Sequence, residues 1–291
     1  MNIIIFGSTG MLGSSVLKEF VNFPKVDIFA TYQNTNKKKK LLEDTSLNKV
    51  TFLKVNVIDV DNFRLKRIIS KMDVIINCIG LINKKKRDKD YYKNLININS
   101  LFPQKLIKLT NNKQKIFQIT TDGVFDGKMG GYKEDDIHSS LDHYSLSKSN
   151  GEIVSKNFFN IRCSIIGREL IGNNSLVSWF LNTEYEKING YSNHLWNGLS
   201  TKVFAKILYS IIIKKISLPN KFHLVPKDNI SKYNLLKYLK KFFKKNIIIK
   251  KYKTKIDINR TLSTNYKKLN LKIWKTSFKK HLTIKEIIRY I

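Results

Sequence analysis

Short apolar runs alternate with segments of helical periodicity along the first 167 residues. The first run covers residues 2–6, and apolar residues at helical spacing begin at Met11. A strand that is buried on both faces has a continuous apolar sequence of this kind. The alternation of such strands with helices indicates a parallel sheet covered on both sides. We predict strands at residues 2–6, 26–32, 50–57, 73–79, 115–121 and 158–166. Besides the helix that opens at Met11, we predict helices at residues 62–71, 90–111 (divided near Pro103) and 144–156.

Three glycines, Gly7, Gly10 and Gly13, lie between the first strand and the first helix. A glycine turn lets the backbone approach a dinucleotide diphosphate, and the helix N-terminus adds free N–H groups and a positive dipole end. An ordinary tight turn, which glycine also serves, is the alternative. At the start of a chain that alternates strands and helices, the spacing favours the nucleotide-binding turn.

Beyond Gly167 the alternation loosens. Ligands of such sheets lie outside the carboxyl ends of the strands, and a mixed tail is the natural place to hold a substrate. We therefore predict an α/β fold with a doubly wound parallel sheet. Residues 1–167 form its dinucleotide-binding part, and residues 168–291 form a smaller mixed α/β substrate-binding subdomain interleaved with it. The elements predicted in the tail are helices at 175–182, 201–214 and 231–244 and strands at 221–225 and 246–250.

The net charge is the unusual feature of the composition. The 291 residues include 54 Lys and Arg against 22 Asp and Glu, a formal charge of +32, with lysine clusters at 37–40, 84–87 and 244–255. Such a charge fits nucleic-acid or membrane binding, or a solvated surface in a lysine-rich composition. Because the clusters are scattered over predicted loops and element ends, without interleaved aromatic residues, we expect no nucleic-acid partner.

The remaining composition is that of a globular cytoplasmic protein. Hydrophobic residues make up 42%, with only 13 Gly and 4 Pro, which favours a folded core. The glycine turn interrupts the first apolar run, which argues against a signal peptide, and residues 209–213, the longest later run, are too short to span a bilayer. Cys78 and Cys163 are predicted to be buried thiols. Neither the cysteines nor the five histidines show metal-ligand spacing, so we expect no metal.

Two segments between the fifth and sixth predicted strands carry candidate chemistry. Tyr144 and Lys148 are four residues apart and share one face of a predicted helix. A nearby ammonium favours the phenolate, which would make Tyr144 a proton donor or acceptor near neutrality. Residues 119–127, ITTDGVFDG, place the Thr121 hydroxyl and the Asp122 carboxylate at the carboxyl end of the fifth strand. Two simple turns at the Asp-Gly pairs are the alternative for this segment.

Together these segments resemble the extended short-chain dehydrogenase/reductases, and within them the dTDP-4-dehydrorhamnose reductase-like group. GSTGMLG resembles the cofactor loop of that group, TTDGVFDG its Ser/Thr-Thr-Asp-x-Val-Phe-Asp-Gly segment and YSLSK its Tyr-x-x-x-Lys pair. NCIG, INSLFPQKL, WNGLSTKVFAKIL and residues 260–263 are similar to further segments. The resemblance covers essentially the whole chain. It implies a Rossmann fold, a nicotinamide cofactor and a nucleotide-sugar substrate, and it admits a homodimer.

The resemblance also implies roles for individual residues. Tyr144 protonates the substrate keto oxygen, Thr121 hydrogen-bonds that oxygen, Lys148 binds the nicotinamide ribose, and Asn99 supports a proton relay. The implied cofactor-binding residues are Gly7, Thr9, Gly10, Met11, Leu12, Gly13, Thr31, Asn56, Val57, Cys78, Ile79, Gly80 and Lys148. The implied substrate-binding residues are Asp122, Val124, Trp196, Asn197 and Arg260.

Some positions depart from the expected pattern. The second strand ends in ATYQN, without the acidic residue that binds an NAD ribose hydroxyl. The lysines at 37–40 could meet a 2′-phosphate, so NADP is favoured over NAD, with a solvated lysine loop as the alternative. Asn56 replaces the aspartate common near the adenine. The alternative to a substrate contact is core packing for Trp196 and an exposed surface position for Arg260.

The segment after the fifth strand also separates reaction types. The sugar dehydratases carry Asp-Glu where Gly123 follows Asp122 here, and epimerases usually carry a different segment, so a simple reduction is favoured. We predict NAD(P)H-dependent reduction of a nucleotide-activated 4-keto-6-deoxy sugar, for deoxysugar and surface polysaccharide biosynthesis. A related UDP- or GDP-sugar epimerase or reductase is one alternative. A non-catalytic NADP-binding regulatory subunit is the other, although the intact set of Thr121, Tyr144 and Lys148 argues against it.

Overall fold

A sheet of seven parallel strands forms the centre of the protein. The computed structural model describes residues 1–82 and 89–291, so the lysine cluster at 84–87 lies outside the described residues. The described strands are β1 (Asn2–Phe6), β2 (Asp27–Tyr32), β3 (Thr51–Lys54), β4 (Val74–Asn77), β5 (Lys115–Thr120), β6 (Phe158–Arg162), β7 (Ile165–Ile166), β8 (Lys187–Tyr191), β9 (His194–Trp196), β10 (Leu199–Ser200), β11 (Lys221–His223), β12 (Ile230–Ser231), β13 (Ile248–Tyr252) and β14 (Ile258–Asn259).

Helices cover the sheet and fill the C-terminal part. They are α1 (Met11–Phe20), α2 (Thr35–Leu41), α3 (Asn62–Ile69), α4 (Tyr91–Ile96), α5 (Phe102–Leu109), α6 (His143–Ser149), α7 (Leu176–Asn182), α8 (Thr201–Ile213), α9 (Lys232–Phe243), α10 (Lys267–Phe278) and α11 (Ile284–Ile287). A π-helical turn, Asn97–Leu101, joins α4 to α5, and short 3-10 helices cover Thr45–Lys49, Asp122–Val124 and Ile288–Tyr290.

The strand order places a crevice above β1 and β4. The order across the sheet is β11-β6-β5-β4-β1-β2-β3, with all six pairings parallel. From β1 the chain winds outward through β2 and β3, and from β4 it winds the other way through β5 and β6. In a doubly wound sheet, this reversal opens the ligand crevice at the carboxyl ends of the strands.

Both faces of the sheet are packed, as the continuous apolar runs predict. In β1, Ile3 and Ile5 join the core beneath α1, α8 and α10, whereas Ile4 and Phe6 join the core beneath α3 and α5. Successive side chains of a strand point to opposite faces, so an uninterrupted apolar run is buried twice. The predicted doubly wound sheet is therefore confirmed.

The residues after 167 divide their packing between two cores. Helices α8 and α10 lie against the main sheet, and β11 extends its edge beside β6. Helices α7 and α9 instead form a separate cluster with β8, β9 and α11, centred on Phe180, Leu235 and Ile284. The small sheets β12-β9-β14, β13-β8 and β10-β7 complete this C-terminal part.

Element boundaries differ from the prediction where local contacts decide them. Residues 37–40, expected in a loop, lie in α2, which begins because the Asn34 side chain accepts a hydrogen bond from the backbone N–H of Lys37 (2.9 Å). The helix predicted over 144–156 ends at Ser149. The strand predicted over 158–166 breaks after Arg162, and β7 then pairs with β10. In the part of the chain that the structure describes, no helix has the length and apolarity needed to cross a bilayer.

Candidate active site

The glycine turn after β1 is shaped by close backbone packing. Gly7 has φ +79°, and its carbonyl accepts from the N–H of Gly10 (2.9 Å). A Cβ on Gly13 would lie 2.1 Å from the Gly7 carbonyl oxygen, so α1 approaches β1 more closely than a side chain would allow. Gly10 caps α1 without a side-chain hydrogen bond, and no acidic residue occupies the first turn. The free N–H groups and the helix dipole therefore form a cradle for an anion.

A cavity of about 220 Å³ extends from this turn over the ends of β1, β2 and β4. Leu12 is buried in the core and Gly13 packs on Gly7, so Met11, Leu12 and Gly13 contribute backbone and shape rather than cavity-lining side chains. The cavity brings together most of the predicted cofactor-binding residues, namely Gly7, Thr9, Gly10, Thr31, Asn56, Val57, Cys78, Ile79 and Gly80.

Among the described residues, none with a carboxylate lines one end of the cavity. Tyr32, Gln33, Asn34 and Lys37 line it there. Of the other three lysines of α2, Lys38 lies over the rings of Tyr32 and Phe52, Lys40 pairs with Glu43 (2.7 Å), and Lys39 is exposed. Lys37 is thus the cation of the 37–40 run that faces the cavity.

Asn56 also lines this cavity, and its side chain forms hydrogen bonds within its own loop. Its Oδ1 accepts from the backbone N–H of Ile58 (3.2 Å), and its Nδ2 donates to Asp59. The amide therefore fixes the turn after β3, and it places Val57 in the cavity wall.

Thr121 and Tyr144 lie close together, on the segment after β5 and on α6. Helix α6 begins at His143 because the Asp142 side chain accepts from the N–H of Ser145 (2.9 Å). A Cβ on Gly123 would lie 3.3 Å from Thr121 Oγ1 and 3.5 Å from Tyr144 Cε1, so a residue without a side chain separates the two groups. Thr121 Oγ1 accepts from the N–H of Gly123 (3.0 Å) and donates to Asp122 (3.2 Å).

Lys148 lies one helical turn after Tyr144 on α6, and it is 5% exposed. Its Nζ donates to the Ile119 carbonyl (2.9 Å). A Cβ on Gly80 would lie 3.8 Å from this Nζ, so the ammonium group borders the 220 Å³ cavity. Burial lowers the pKa of Lys148 to about 8, against the opposing charge of Glu152.

The pKa of Tyr144 differs from the expectation. Burial raises it to about 12, and hydrogen bonding with Thr121 opposes that rise only in part. The expected lowering by Lys148 is wrong for this structure, because the ammonium is directed at the Ile119 carbonyl and burial disfavours the phenolate. Tyr144 is consequently a proton donor at neutral pH.

Asn99 connects the segment after β4 to α6. It lies in the π-helical turn and is 1% exposed. Its Oδ1 accepts from the N–H of Leu81, and its Nδ2 donates to the Leu81 carbonyl and to Ser147 Oγ, all at 2.9 Å. Gly151 packs on the Asn99 carbonyl, which a Cβ would approach to 2.0 Å. The side chain thus holds the segment after β4 against the helix that carries Tyr144 and Lys148.

Three charged groups from separate segments, Asp122, Lys232 and Arg260, lie close enough to act on one another. Burial raises the pKa of Asp122, whereas the charges of Lys232 and Arg260 lower it. Lys232 is the first residue of α9 and also lines a cavity of about 410 Å³. The Nε of Arg260 is buried and has no hydrogen-bond partner among the described residues. Sequence reasoning missed Lys232, because one lysine among many carries no signal of its place in the fold.

The 410 Å³ cavity lies in the C-terminal part and has a mainly apolar lining with an aromatic wall. Sequence reasoning did not single out the aromatic residues, because only the packing of α7 against β8, β9 and α9 brings them together. Besides Lys232, the lining consists of Leu176, Trp179, Ile188, Asn189, Tyr191, His194 and Leu236.

Three of the predicted substrate-binding residues have almost fully buried side chains. Trp196 is 5% exposed, and its Nε1 donates to Ser164 Oγ (2.8 Å). Asn197 is bonded through both amide atoms to the backbone of Leu262 (2.7 and 2.8 Å). Val124 is 1% exposed in an apolar cluster with Leu262. These side chains hold the walls of the site, and core packing is the interpretation that the structure favours for Trp196.

Comparison with known structures supports the fold. A dTDP-4-dehydrorhamnose reductase from Clostridium acetobutylicum is 19% identical, with a TM-score of 0.71 over 100% of this chain and 98% of that one. The Bacillus anthracis dTDP-4-dehydrorhamnose reductase in complex with NADP is 18% identical (TM-score 0.70, 99% and 97% covered). A Bacillus cereus UDP-glucuronic acid 4-epimerase in complex with NAD is 16% identical (TM-score 0.75, 99% and 94%). Identities this low establish a shared fold.

The family assignment comes from the sequence. No curated protein matches the chain. The family model described as the RmlD substrate binding domain matches residues 1–283, nearly the whole length. The resemblance inferred from the motifs is confirmed by this match: the chain belongs to the RmlD substrate binding domain family.

Proposed function

We propose that the protein is an NADPH-dependent reductase of a nucleotide-activated 4-keto-6-deoxy sugar. The observation that carries this proposal is the approach of Tyr144 to Thr121 across Gly123, with Lys148 behind them at the edge of the glycine-turn cavity. Two hydroxyl donors that converge on one point suit a carbonyl oxygen that acquires negative charge during reduction. The similar folds of two dTDP-4-dehydrorhamnose reductases support the same assignment.

The residues around the first cavity fit a nicotinamide dinucleotide. The cradle that a Cβ on Gly13 would fill, together with the uncapped start of α1, suits a diphosphate. Gly80, Cys78 and Lys148 lie at the other end, where the nicotinamide ribose would be held. When bound, the cofactor supplies a hydride, and the protein supplies orientation and the proton.

The proton comes from Tyr144. Because its pKa is about 12, the phenol is protonated over the physiological range and can transfer its proton to the substrate oxygen as that oxygen becomes basic. The Thr121 hydroxyl, which donates to Asp122 in this structure, turns to donate to the same oxygen when the substrate is bound. Lys148 is mostly charged at neutral pH, and its role in this proposal is to hold the nicotinamide ribose at the edge of the cavity rather than to lower the pKa of Tyr144.

NADPH is the preferred cofactor in this proposal. Within residues 1–82 and 89–291, no acidic side chain lines the cavity beside Tyr32, where one would bind the 2′-hydroxyl of NAD, and Lys37 is present there. A lysine ammonium beside that position favours a 2′-phosphate. Structures of similar fold contain NADP in one case and NAD in another, so this choice depends on the residues of this chain.

The substrate is assigned to the C-terminal cavity. Lys232 and Arg260 provide two positive charges beside the single carboxylate of Asp122, a balance that suits a diphosphate. The aromatic wall of Trp179, Tyr191 and His194 suits a planar base. Residues 1–167 would thus hold the cofactor, and residues 168–291 the sugar nucleotide.

A stoichiometric assay tests the proposal. Purified protein is mixed with NADPH and either dTDP-4-dehydrorhamnose or dTDP-4-keto-6-deoxyglucose, and oxidation at 340 nm is compared with the sugar product. One NADPH consumed per sugar reduced is the expected result. Interconversion of UDP- or GDP-sugars without net NADPH consumption would replace the proposal with epimerisation. NADPH binding with no turnover across the panel would point to a regulatory subunit.

A further inference from the structure

A buried group of polar side chains lies behind the catalytic segments. Arg162 and Glu152 form an ion pair in which both side chains are 2% exposed. The Arg162 guanidinium also reaches His223 Nε2 (2.5 Å) and His138 Nε2 (2.6 Å). Glu152 in turn accepts from Thr120 Oγ1 (2.7 Å). The mechanism proposed above uses none of these groups directly.

The hydrogen bonds fix the proton positions on both histidines. A guanidinium only donates, so the Nε2 atoms of His138 and His223 must accept and both rings must be neutral. The Nδ1–H of His223 then donates to the Ser263 carbonyl (2.8 Å), and that of His138 donates to Ser149 Oγ (2.5 Å). A protonated His138 would direct an N–H at Arg162 and lose this bond.

The connections of His138 lead to both catalytic segments. Ser149 directly follows Lys148 on α6, and Thr120 directly precedes Thr121 at the end of β5. The path from Ser149 through His138, Arg162 and Glu152 to Thr120 consists of consecutive hydrogen bonds. It therefore spans the two elements whose spacing sets the approach of Tyr144 to Thr121.

We propose that His138 is a positioning residue, which in its neutral form holds α6 against the ends of β5 and β6 by bridging Ser149 and Arg162. The inference rests on the proposed function for its kinetic consequence, but the bridge itself is independent of the substrate. Its side chain is 20% exposed, so solvent protons can reach the ring. The charged groups that act on it are Glu152, Arg162 and Lys221.

Burial lowers the pKa of His138, against the opposing charge of Glu152. The neutral bridging form is therefore stable at neutral pH and is lost only when the pH falls below the ordinary histidine range. We expect kcat of the wild type to fall at acid pH as this bridging form is lost. In His138→Ala the bridge is absent at every pH, so the ratio of wild-type to variant kcat should shrink towards one in acid.

Kinetics of three variants test this role. His138→Ala should lower kcat at pH 7.5 by ~10-fold to ~100-fold, because small misplacements of catalytic groups have effects of this size. His138→Gln, whose amide can accept from Arg162 and donate to Ser149, should retain most of the activity and lose the acid-dependent fall. His281→Ala, which removes a half-buried histidine bonded to the Val225 carbonyl, controls for general loss of stability and should keep its kcat. A ratio of wild-type to His138→Ala kcat that stays constant with pH would overturn the proposal.

Hydrogen exchange tests the bridge without any substrate. Both His138→Ala and Ser149→Ala should speed amide exchange in α6, and the double variant should exchange no faster than either single one. Additive effects, or unchanged exchange in His138→Ala, would refute the bridge. If the wild type reduces no sugar nucleotide but α6 exchange responds as expected, the proposed function fails and the bridge stands.

Discussion

Gly13 packs so tightly on Gly7 that a Cβ on residue 13 would lie 2.1 Å from the Gly7 carbonyl oxygen. Gly13→Ala must push α1 away from β1, and overpacking of this kind costs about 1–3 kcal/mol. We expect the Kd for NADPH to rise ~10-fold or more, because the N–H groups at the start of α1 move with the helix. Isothermal titration measures this change. Gly131→Ala strains the backbone at φ +65° but meets no neighbouring atom, so it controls for general destabilisation; equal weakening by both variants would contradict a specific effect at the turn.

Tyr144→Phe removes the proposed proton donor and leaves its ring in place. The loss of a general acid should lower kcat at least ~100-fold, with little change in the Kd for NADPH. Tyr209→Phe is the matched control, since the Tyr209 hydroxyl is also buried and has no hydrogen-bond partner among the described residues. Stopped-flow oxidation of NADPH distinguishes the two. Retained turnover in Tyr144→Phe would remove this residue from the mechanism.

Much of the sheet and its glycine turn could be predicted from the sequence because double burial leaves a continuous apolar run. Residues 2–6 and 73–79 show this clearly, and both form central strands of the sheet. The two- and three-residue strands of the C-terminal part could not be predicted, since pairs such as β7 with β10 depend on contacts between distant segments. Helix α10 was missed as well, because only a few positions around Trp274 are buried on a lysine-rich helix.

The site was predictable only as far as local motifs reach. The segments that carry Thr121, Tyr144 and Lys148 lie near one another, as expected from their positions after the fifth strand. The protonation behaviour of Tyr144 was not predictable, because its pKa depends on burial by residues far away in the chain. Trp196 and Asn197 were assigned to the substrate from sequence alone, whereas their hydrogen bonds to Ser164 and Leu262 appear only in three dimensions.

The buried charge of Lys148 should make stability depend on alkaline pH. The pKa of this lysine is about 8 in the folded protein, below its ordinary value of 10.5. Between these values the unfolded chain binds more protons, so this group makes the free energy of unfolding rise as pH increases from about 8 to 10.5, by up to about 3 kcal/mol. Lys148→Met removes this dependence and abolishes turnover. Urea denaturation of the wild type and of Lys148→Met at pH 7.5 and 10 measures how the free energy of unfolding changes with pH. The same change in both proteins would show that Lys148 is not the group responsible.

Lys37→Gln tests the cofactor preference. A charge-assisted hydrogen bond to the 2′-phosphate contributes about 1.5–3 kcal/mol, so the Kd for NADPH should rise ~10-fold while that for NADH stays the same. Lys39→Gln changes the same charge on the exposed side of α2 and serves as the control. Fluorescence titration of each variant with NADPH and with NADH gives the four dissociation constants. If the binding of NADPH and of NADH weakened equally, Lys37 would not be the residue that recognises the 2′-phosphate.

Lys232→Gln tests the placement of the substrate diphosphate. Lys232 lies at the start of α9, where it acts on Asp122 and lines the C-terminal cavity, so its loss should raise KM for the sugar nucleotide ~10-fold. The kcat should change little, because the diphosphate is bound equally in the ground state and the transition state. Lys237→Gln, on the exposed face of the same helix, removes the same charge without touching the cavity. Steady-state kinetics with saturating NADPH separates the two constants. A fall in kcat at constant KM would place Lys232 beside the reacting carbonyl instead, because an interaction made only in the transition state is lost in that way.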